Sequence, residues 1–363
     1  MNELEQARKI INQIDEKMAK LFEERMRASE LVAKYKKEHA LSILDSSREA
    51  QIIKNNSEYI EDSVIREYYV KFLESTMHLS KSYQSRLNNG MRVAYCGVEG
   101  AFAYIAAKNM FPEATLVAYK DFESAHEAAA SGDCDACVLP IENSFAGDVG
   151  TVMDLIFSGD LYINQVVDIP VVHNLLVNEG ASLESIKEVI SHPQALAQCS
   201  KFISDRAYSE KPYTNTALAA KYVKESGSLE IAAIASMETA NIFGLKVIES
   251  GINESRNNTT RFGAFSRVQN QNTSSGRDIN DHFILVFTVK NEAGALAKTL
   301  DIIGAHGYNM RNLRSRPMKE LMWSYYFYIE ADGNINTQDG KDMLRELGAT
   351  CDLLKLAGTY KTK

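Results

Sequence analysis

Basic side chains stand where a helix ought to be apolar. Ile11, Ile14, Met18, Leu21, Ala28 and Val32 recur at steps of three and four residues, and Arg25 falls on the same stripe. Lys36 lies eleven residues beyond Arg25, a rotation of about 20° at roughly 100° per residue, so both share one face. A cation in a seam that should be buried is costly unless an anion meets it. Either the pair snorkels to solvent or meets a carboxylate such as Glu49, or it receives an anionic ligand. Ser80 and Gln84, an i, i+4 pair, continue a stripe through Leu73 and Met77 and turn neutral hydrogen-bonding groups inward. Between these helices comes Asp45-Ser46-Ser47-Arg48-Glu49, in which Asp45 or Ser46 can cap a helix. A pocket so rich in cations suits a small dicarboxylate, which arginine grips in a bidentate fork.

Further along, polar groups gather where strands end. Gly97-Val98-Glu99-Gly100-Ala101-Phe102 stands between a strand and a helix, as a plain tight turn or as backbone amides offered to an anion. Val138-Leu139-Pro140 ends in Glu142-Asn143-Ser144, where functional groups of open α/β sheets concentrate; a helix cap at Asn143 or Ser144 is the ordinary alternative. Ser191-His192-Pro193-Gln194 follows the strand-like Val189-Ile190, and Asn215-Thr216-Ala217 reads as another cap. Asn258-Thr259-Thr260-Arg261-Phe262 supplies hydroxyls, amides and a guanidinium without a histidine, so no Ser-His-Asp triad is indicated.

Three segments carry these groups. Asn88-Asn89-Gly90 and the polar run Gln269–Gly276 read as joints, dividing the chain into 1–88, 91–267 and 280–363. The first reads as all helix, with one helix from about Leu4 to Lys37 too long to bury its stripe alone, so partner helices from a second copy are expected. The second alternates strands (Val93–Tyr95, Leu116–Tyr119, Ala136–Leu139, Glu188–Ile190, Ile231–Ala235) with helices, which indicates α/β architecture with largely parallel sheets. The third reads strand (Phe283–Val289), helix (Ala295–His306), two strands (the second Trp323–Ile329), helix (Asp339–Leu347) and strand (Leu353–Tyr360), the βαββαβ order of a ferredoxin-like α+β domain.

Composition narrows the class. Hydrophobic residues at 45% and charged residues at 24% fit a soluble multi-domain protein, and a net charge of −8 argues against a nucleic-acid partner. Neither a signal peptide nor an apolar run long enough to span a bilayer is evident, so a cytoplasmic protein without a membrane partner is expected. The five scattered cysteines read as reduced thiols, and Cys134-x-x-Cys137 lacks the partners of a zinc site, so no metal is expected.

Arg8 with Asp15, Arg25, Tyr35-Lys36, Asp45-x-x-Arg48-Glu49 and Ser80-x-x-x-Gln84 together resemble the all-helical chorismate mutases over nearly all of residues 1–88. That resemblance implies an intertwined dimer and a pericyclic rearrangement of chorismate to prephenate without cofactor. Arg25, Arg48 and a partner copy's Arg8 would grip carboxylates, Lys36 and Gln84 would donate to the ether oxygen, and Glu49 would orient the ring hydroxyl. Arg8, about 100° around the helix from Arg25, fits service to a different pocket.

The ordered motifs GVEGAF, LPIENS, SHPQALAQC, NTALAAK, AAIAS and TRF, across about residues 92–267, resemble the prephenate dehydratases. The family implies two lobes like a periplasmic binding protein, a site in the cleft between them, and phenylpyruvate as product. By resemblance Thr260 hydrogen-bonds the departing hydroxyl, Glu142 is the proton source, Arg261 and Asn143 hold carboxylate oxygens beside Ser144, and Gln194 and Phe262 shape the site. Ala103 stands where the family commonly has a small hydroxyl residue.

Asn291-Glu292-Ala293-Gly294-Ala295-Leu296 and Ser315-Arg316-Pro317 resemble an ACT domain of aromatic biosynthesis, implying phenylalanine as effector near Gly294, Ala295, Leu296, Ser315, Arg316 and Pro317. Here Arg314 replaces the family's usual acidic residue and reverses a charge near that pocket. A homodimer or homotetramer follows from the resemblances. The alternatives are a dehydratase whose helical segment merely dimerises, and a non-catalytic solute-binding module.

Overall fold

In the computed structural model, which describes residues 2–362 apart from 40, 44, 256, 271–279 and 319–323, Asn2 opens the first helix with a capping box. Its side chain accepts from the Glu5 amide while the Glu5 carboxylate accepts from the Asn2 amide. Helix α1 (Glu3–Glu38) then runs for 36 residues, about 54 Å at 1.5 Å per residue. Asp45 caps α2 (Ser46–Ser57), and Asp62 caps α3 (Ser63–Asn89) by accepting from the amides of Val64 and Ile65; each such cap stabilises by about 1 kcal/mol. Helix α3 buries Leu73, Thr76, Met77, Ser80 and Gln84, the stripe read from the sequence. Helix α1 buries only Ser29 and Ala33. Its own stripe is in water, with Ile11 54%, Met18 44% and Leu21 63% exposed. These helices belong to one compact unit, formed by the chain to Arg92 with Gly132–Cys134; the rest forms a second unit.

The second unit begins with β1 (Arg92–Cys96), α4 (Phe102–Met110), β2 (Thr115–Tyr119), α5 (Phe122–Ser131), β3 (Ala136–Asn143), the short β4 (Gly147–Asp148), α6 (Gly150–Ser158) and β5 (Tyr162–Pro170). The chain crosses to another lobe of β6 (Asn174–Val177), β7 (Glu188–Ser191), α7 (Pro193–Gln198), α8 (Ser200–Asp205), β8 (Ser209–Pro212), α9 (Thr216–Ser226), β9 (Ile231–Ala235), α10 (Met237–Phe243) and β10 (Lys246–Glu249), and returns as β11 (Thr259–Ser266). The first lobe's strands run β5-β11-β3-β1-β2, the second's β10-β6-β9-β7-β8. The β1–β3, β7–β8 and β7–β9 pairs are parallel, whereas β11 lies antiparallel to both neighbours and β6 antiparallel to β9 and β10. The expected largely parallel sheets are therefore mixed, because the strands next to each crossover run back against their neighbours. The two crossovers are tied together: Val171 N donates to Asn258 O (2.8 Å) and Ile252 N to His173 O (2.9 Å).

The chain ends in β12 (Asp281–Thr288), α11 (Ala295–Ala305), β13 (Met310–Pro317), β14 (Tyr325–Asp332), α12 (Gln338–Thr350) and β15 (Leu353–Lys361), the βαββαβ order expected. Both helices cover one face, packing Ile303, Met343 and Leu347 on Phe283, Leu285, Phe287 and Ile329. Strand β15 joins this sheet to the first lobe through Gly358 beside Ile163 of β5, where a Cβ on Gly358 would collide with the Ile163 carbonyl. Trp323 and most of the joint at 269–276 lie outside the described residues.

Candidate active site

A cleft of about 460 Å³ opens between the lobes, lined from the first by Phe102, Ala103, Lys120, Pro140, Asn143, Thr260 and Phe262. The second lobe supplies Gln194, Gln198, Asn215 and Thr216, and the crossovers supply His173 and Asn258. Strand alternation selects these groups. Asn258, Thr260 and Phe262 stand two residues apart at and along β11, and so share a face. On β3 the ladder slips: Thr260 pairs with Asn143 and Arg261 with Glu142, but Phe262 pairs with Pro140. Ile141 is the extra residue of this bulge, which brings Pro140 and Asn143, three apart, to one face. Gly263 leaves room for it, since a Cβ there would lie 2.8 Å from Ile141 Cδ1.

Thr260, Asn143, Asn258, Gln198 and His173 form one ordered chain along the cleft. Asn143 Oδ1 accepts from the amides of Phe145 (3.0 Å) and Ala146 (2.8 Å), which fixes the orientation of its amide. Its Nδ2 donates to Thr260 Oγ1 (2.9 Å) and Asn258 Oδ1 (2.9 Å). Asn258 Nδ2 donates to Gln198 Oε1 (3.0 Å), which His173 Nε2 approaches at 2.8 Å. That oxygen is only an acceptor, so the proton of His173 resides on Nε2 and Nδ1 is a buried acceptor without a protein partner. Burial pulls the His173 pKa down, outweighing the Gln198 bond, and keeps the ring neutral. Thr260 Oγ1, already accepting from Asn143, has its own proton to donate into the cleft. No side chain caps α4, and Phe102 and Ala103 of its first turn line the cleft, so amides without an intrahelical acceptor are available there to an anion. Cys96 also lines it, but burial raises its thiol pKa, which disfavours a thiolate nucleophile.

Asn143, Gln194, Thr260 and Phe262 thus meet as read from the sequence, whereas Glu142, Ser144 and Arg261 do not join them. Arg261 lies on the far side of β11, bound to Asp168 (2.9 Å) and Glu330 (3.5 Å), and its pKa is raised chiefly by the Asp168 bond. Glu142 is turned the same way by the bulge and meets Arg314 at 2.6 Å. It is neither open to the cleft nor placed to act as proton source, and Arg261 cannot hold a carboxylate there. Ser144 forms no helix cap; its hydroxyl ties Asn257 O and Thr259 N at 2.9 Å each, pinning the end of β3 to β11. His173, Gln198 and Lys120 escaped sequence reading, and Asn258 was read only as part of the polar run that ends at Phe262. Gln198 was legible as the i, i+4 neighbour of Gln194 on α7, and Asn258 by its even spacing from Thr260.

In the helical unit Arg25 donates through Nη1 to Ser80 Oγ, and burial lowers its pKa. Gln84 is 8% exposed, with Oε1 buried and without a protein partner. Lys36 Nζ donates to Ile43 O (2.7 Å), closing the loop before α2. Glu49 meets Lys81 (2.9 Å), a cation that sequence reading passed over. Asp45 is engaged as the α2 cap, accepting from Arg48 N at 3.0 Å, a bond that lowers its pKa. Arg48 and Arg8 are exposed, and about 25 Å of helix separates Arg8 from Arg25.

The expected effector residues divide between two faces. Leu296 packs on the helix side, and Ser315 pairs in register with Phe327 of that side. Arg316 pairs with Tyr326 and turns toward α6, where both meet Asp154 at 3.5 and 3.0 Å. The alternation of β13 therefore separates Arg316 from Ser315 and exposed Pro317, and from Gly294 and Ala295 at the start of α11. Among the described residues, no group of three or more His, Cys, Asp and Glu is arranged to hold a metal ion, and no helix is long and apolar enough to cross a membrane.

Residues 93–270 match the family model described as prephenate dehydratase, and residues 7–85 that described as chorismate mutase type II. Arogenate dehydratase/prephenate dehydratase 2 of Arabidopsis thaliana is 30% identical over 327 residues, 86% of this chain and 85% of its own. The bifunctional chorismate mutase/prephenate dehydratase of Neisseria gonorrhoeae is 29% identical over 358 residues, 98% of this chain and 96% of its own. Among solved structures, the prephenate dehydratase of Arthrobacter aurescens in complex with L-Phe has a TM-score of 0.68 at 28% identity, covering 75% of this chain and 90% of its own.

Proposed function

We propose a division of labour within a bifunctional enzyme: this chain belongs to the prephenate dehydratase family, carries a chorismate mutase domain before it, and converts chorismate to prephenate and prephenate to phenylpyruvate. The dehydration belongs to the cleft between the lobes. Loss of carbon dioxide sends an electron pair into the ring as hydroxide leaves opposite, so aromatisation supplies the driving force. The protein must hold the substrate and assist the departing oxygen. Thr260 is the group for that task, and the observation that carries the assignment is the chain from His173 through Gln198, Asn258 and Asn143. Each donor in it is matched to an acceptor, which leaves the Thr260 hydroxyl proton for the cleft. The first-turn amides of α4 and Lys120 receive carboxylate oxygens, with Phe262 against the ring.

Replacing Thr260 with alanine should lower dehydratase kcat by about 10²–10³, the usual cost of one preorganised donor, while mutase turnover stays at the wild-type rate. Dehydratase turnover near wild type would remove the assignment.

The rearrangement of chorismate is assigned to the helical unit. Arg25 and Arg48, with Arg8 of a second copy, grip carboxylates; Lys36 and Gln84 donate to the ether oxygen, and Glu49, held by Lys81, orients the ring hydroxyl. The exposed stripe of α1 supports a dimeric or larger assembly, because a helix leaving Leu21 63% exposed gains from a partner. The three domains take 1–88, 91–267 and 280–363, the last an ACT-type sensor of phenylalanine. Its βαββαβ order and the L-Phe complex of the Arthrobacter aurescens relative support feedback inhibition. No cofactor enters either step.

A further inference from the structure

The strands that present Thr260 and Asn143 to the cleft carry charges on their other face, and each is met from the C-terminal sheet. Arg314 of β13, its side chain 14% exposed, pairs with Glu142 of β3 at 2.6 Å and with Asp148 of β4. Glu142 and Asp148 are direct partners in the β3–β4 ladder, so one guanidinium spans that hairpin. Beside it Glu330 of β14, 4% exposed, meets Arg261 of β11, the cross-strand partner of Glu142. Next to this pair in the antiparallel ladder stand Asn143, one residue after Glu142, and Thr260, one residue before Arg261, joined at 2.9 Å. The bulge at Ile141 interrupts the β3–β11 ladder just here, so backbone pairing alone fixes the end of β3 less firmly than an unbroken ladder would.

We propose that Arg314 is a positioning residue for dehydration: through Glu142 and Asp148 it holds the bulged end of β3 so that Asn143 meets Thr260. The proposal rests on the reading of the cleft as the dehydration site. It gives the C-terminal domain a direct mechanical hold on turnover. A displacement of β13 changes the rate of the bound substrate's reaction rather than its binding.

The test is steady-state kinetics of the full-length chain with R314A, R314K, E142Q and R314A/E142Q, with melting temperature measured beside prephenate dehydration and chorismate rearrangement. R314A should lower dehydratase kcat about tenfold by misplacing Asn143, with KM within about twofold of wild type and the mutase unaffected. R314K, which keeps the charge, should recover part of the loss. E142Q, which leaves the Asp148 contact in place, should lose part of what R314A loses, and the double variant should be no worse than R314A, as for residues acting through shared contacts. Wild-type kcat in R314A, or losses that multiply in the double variant, would overturn the proposal. If R314A does not fold, E142Q decides: wild-type kcat there overturns it equally. T260A separates this from the underlying reading, since an active T260A would discard the cleft assignment whatever Arg314 does.

Discussion

The helical unit and the cleft solve similar problems with different materials. Both handle ring dicarboxylates, yet the helices present Arg25, Lys36, Arg48 and Lys81, whereas the cleft turns its arginine away and works with amides, a hydroxyl, a helix end and Lys120. Guanidinium groups suit a rearrangement in which the protein mainly fixes a conformer and stabilises charge on the ether oxygen. A leaving hydroxide needs one donor aimed at one atom, and oriented neutral dipoles provide that without pairing their own charge first.

Removing a cation should therefore hurt the two sites unequally. The largest effect is expected in the helices: Arg25→Ala should lower mutase kcat/KM by about 10²–10³, as for loss of one partner of a buried charge pair, with dehydratase kinetics unchanged. A mutase loss below about tenfold would blur the contrast. A smaller effect is expected from Gln198→Ala, which breaks the dipole chain two links from Thr260 while leaving the hydroxyl in place. Dehydratase kcat should fall about ten- to hundredfold, and an unchanged kcat would show that Thr260 acts without the chain.

The smallest effect concerns pH. Burial lowers the His173 pKa from 6.5, so the unfolded chain takes up a proton at this site before the folded one does. The stability tied to the neutral ring is whole above that value and is lost as pH falls below it, by up to about 1.4 kcal/mol per pH unit until the folded pKa is reached. His126 and His282 are lowered by burial in the same sense. His173→Gln should flatten, without abolishing, the decline in melting temperature between about pH 7 and 5.5. An acid limb identical to wild type would mean that His173 carries none of it.

The same contrast explains what the sequence disclosed. The helical stripes follow a period that nothing interrupts, so the burial of Ser80 and Gln84 and the long helix were legible from spacing alone. The βαββαβ order was equally clear from alternating runs. In the cleft, alternation along β11 groups Asn258, Thr260 and Phe262 and sets Arg261 apart, a grouping that depends on the strand beginning at Thr259. Strand β3 was not open to that reading. Its alternation places Glu142 beside Pro140, and only the bulge at Ile141, created by pairing with a distant strand, reverses this. His173 was hidden for a related reason: it sits on a crossover, and nothing local reveals that Gln198 and Asn258 come to meet it.

A structure of the protein with phenylpyruvate bound addresses the front-and-back arrangement of β11 most directly. The carboxylate should lie at the first-turn amides of Phe102 and Ala103, with Thr260 facing the ring and Arg261 still bound to Asp168 and Glu330. A carboxylate held instead by Arg261, its guanidinium swung into the cleft, would contradict the account.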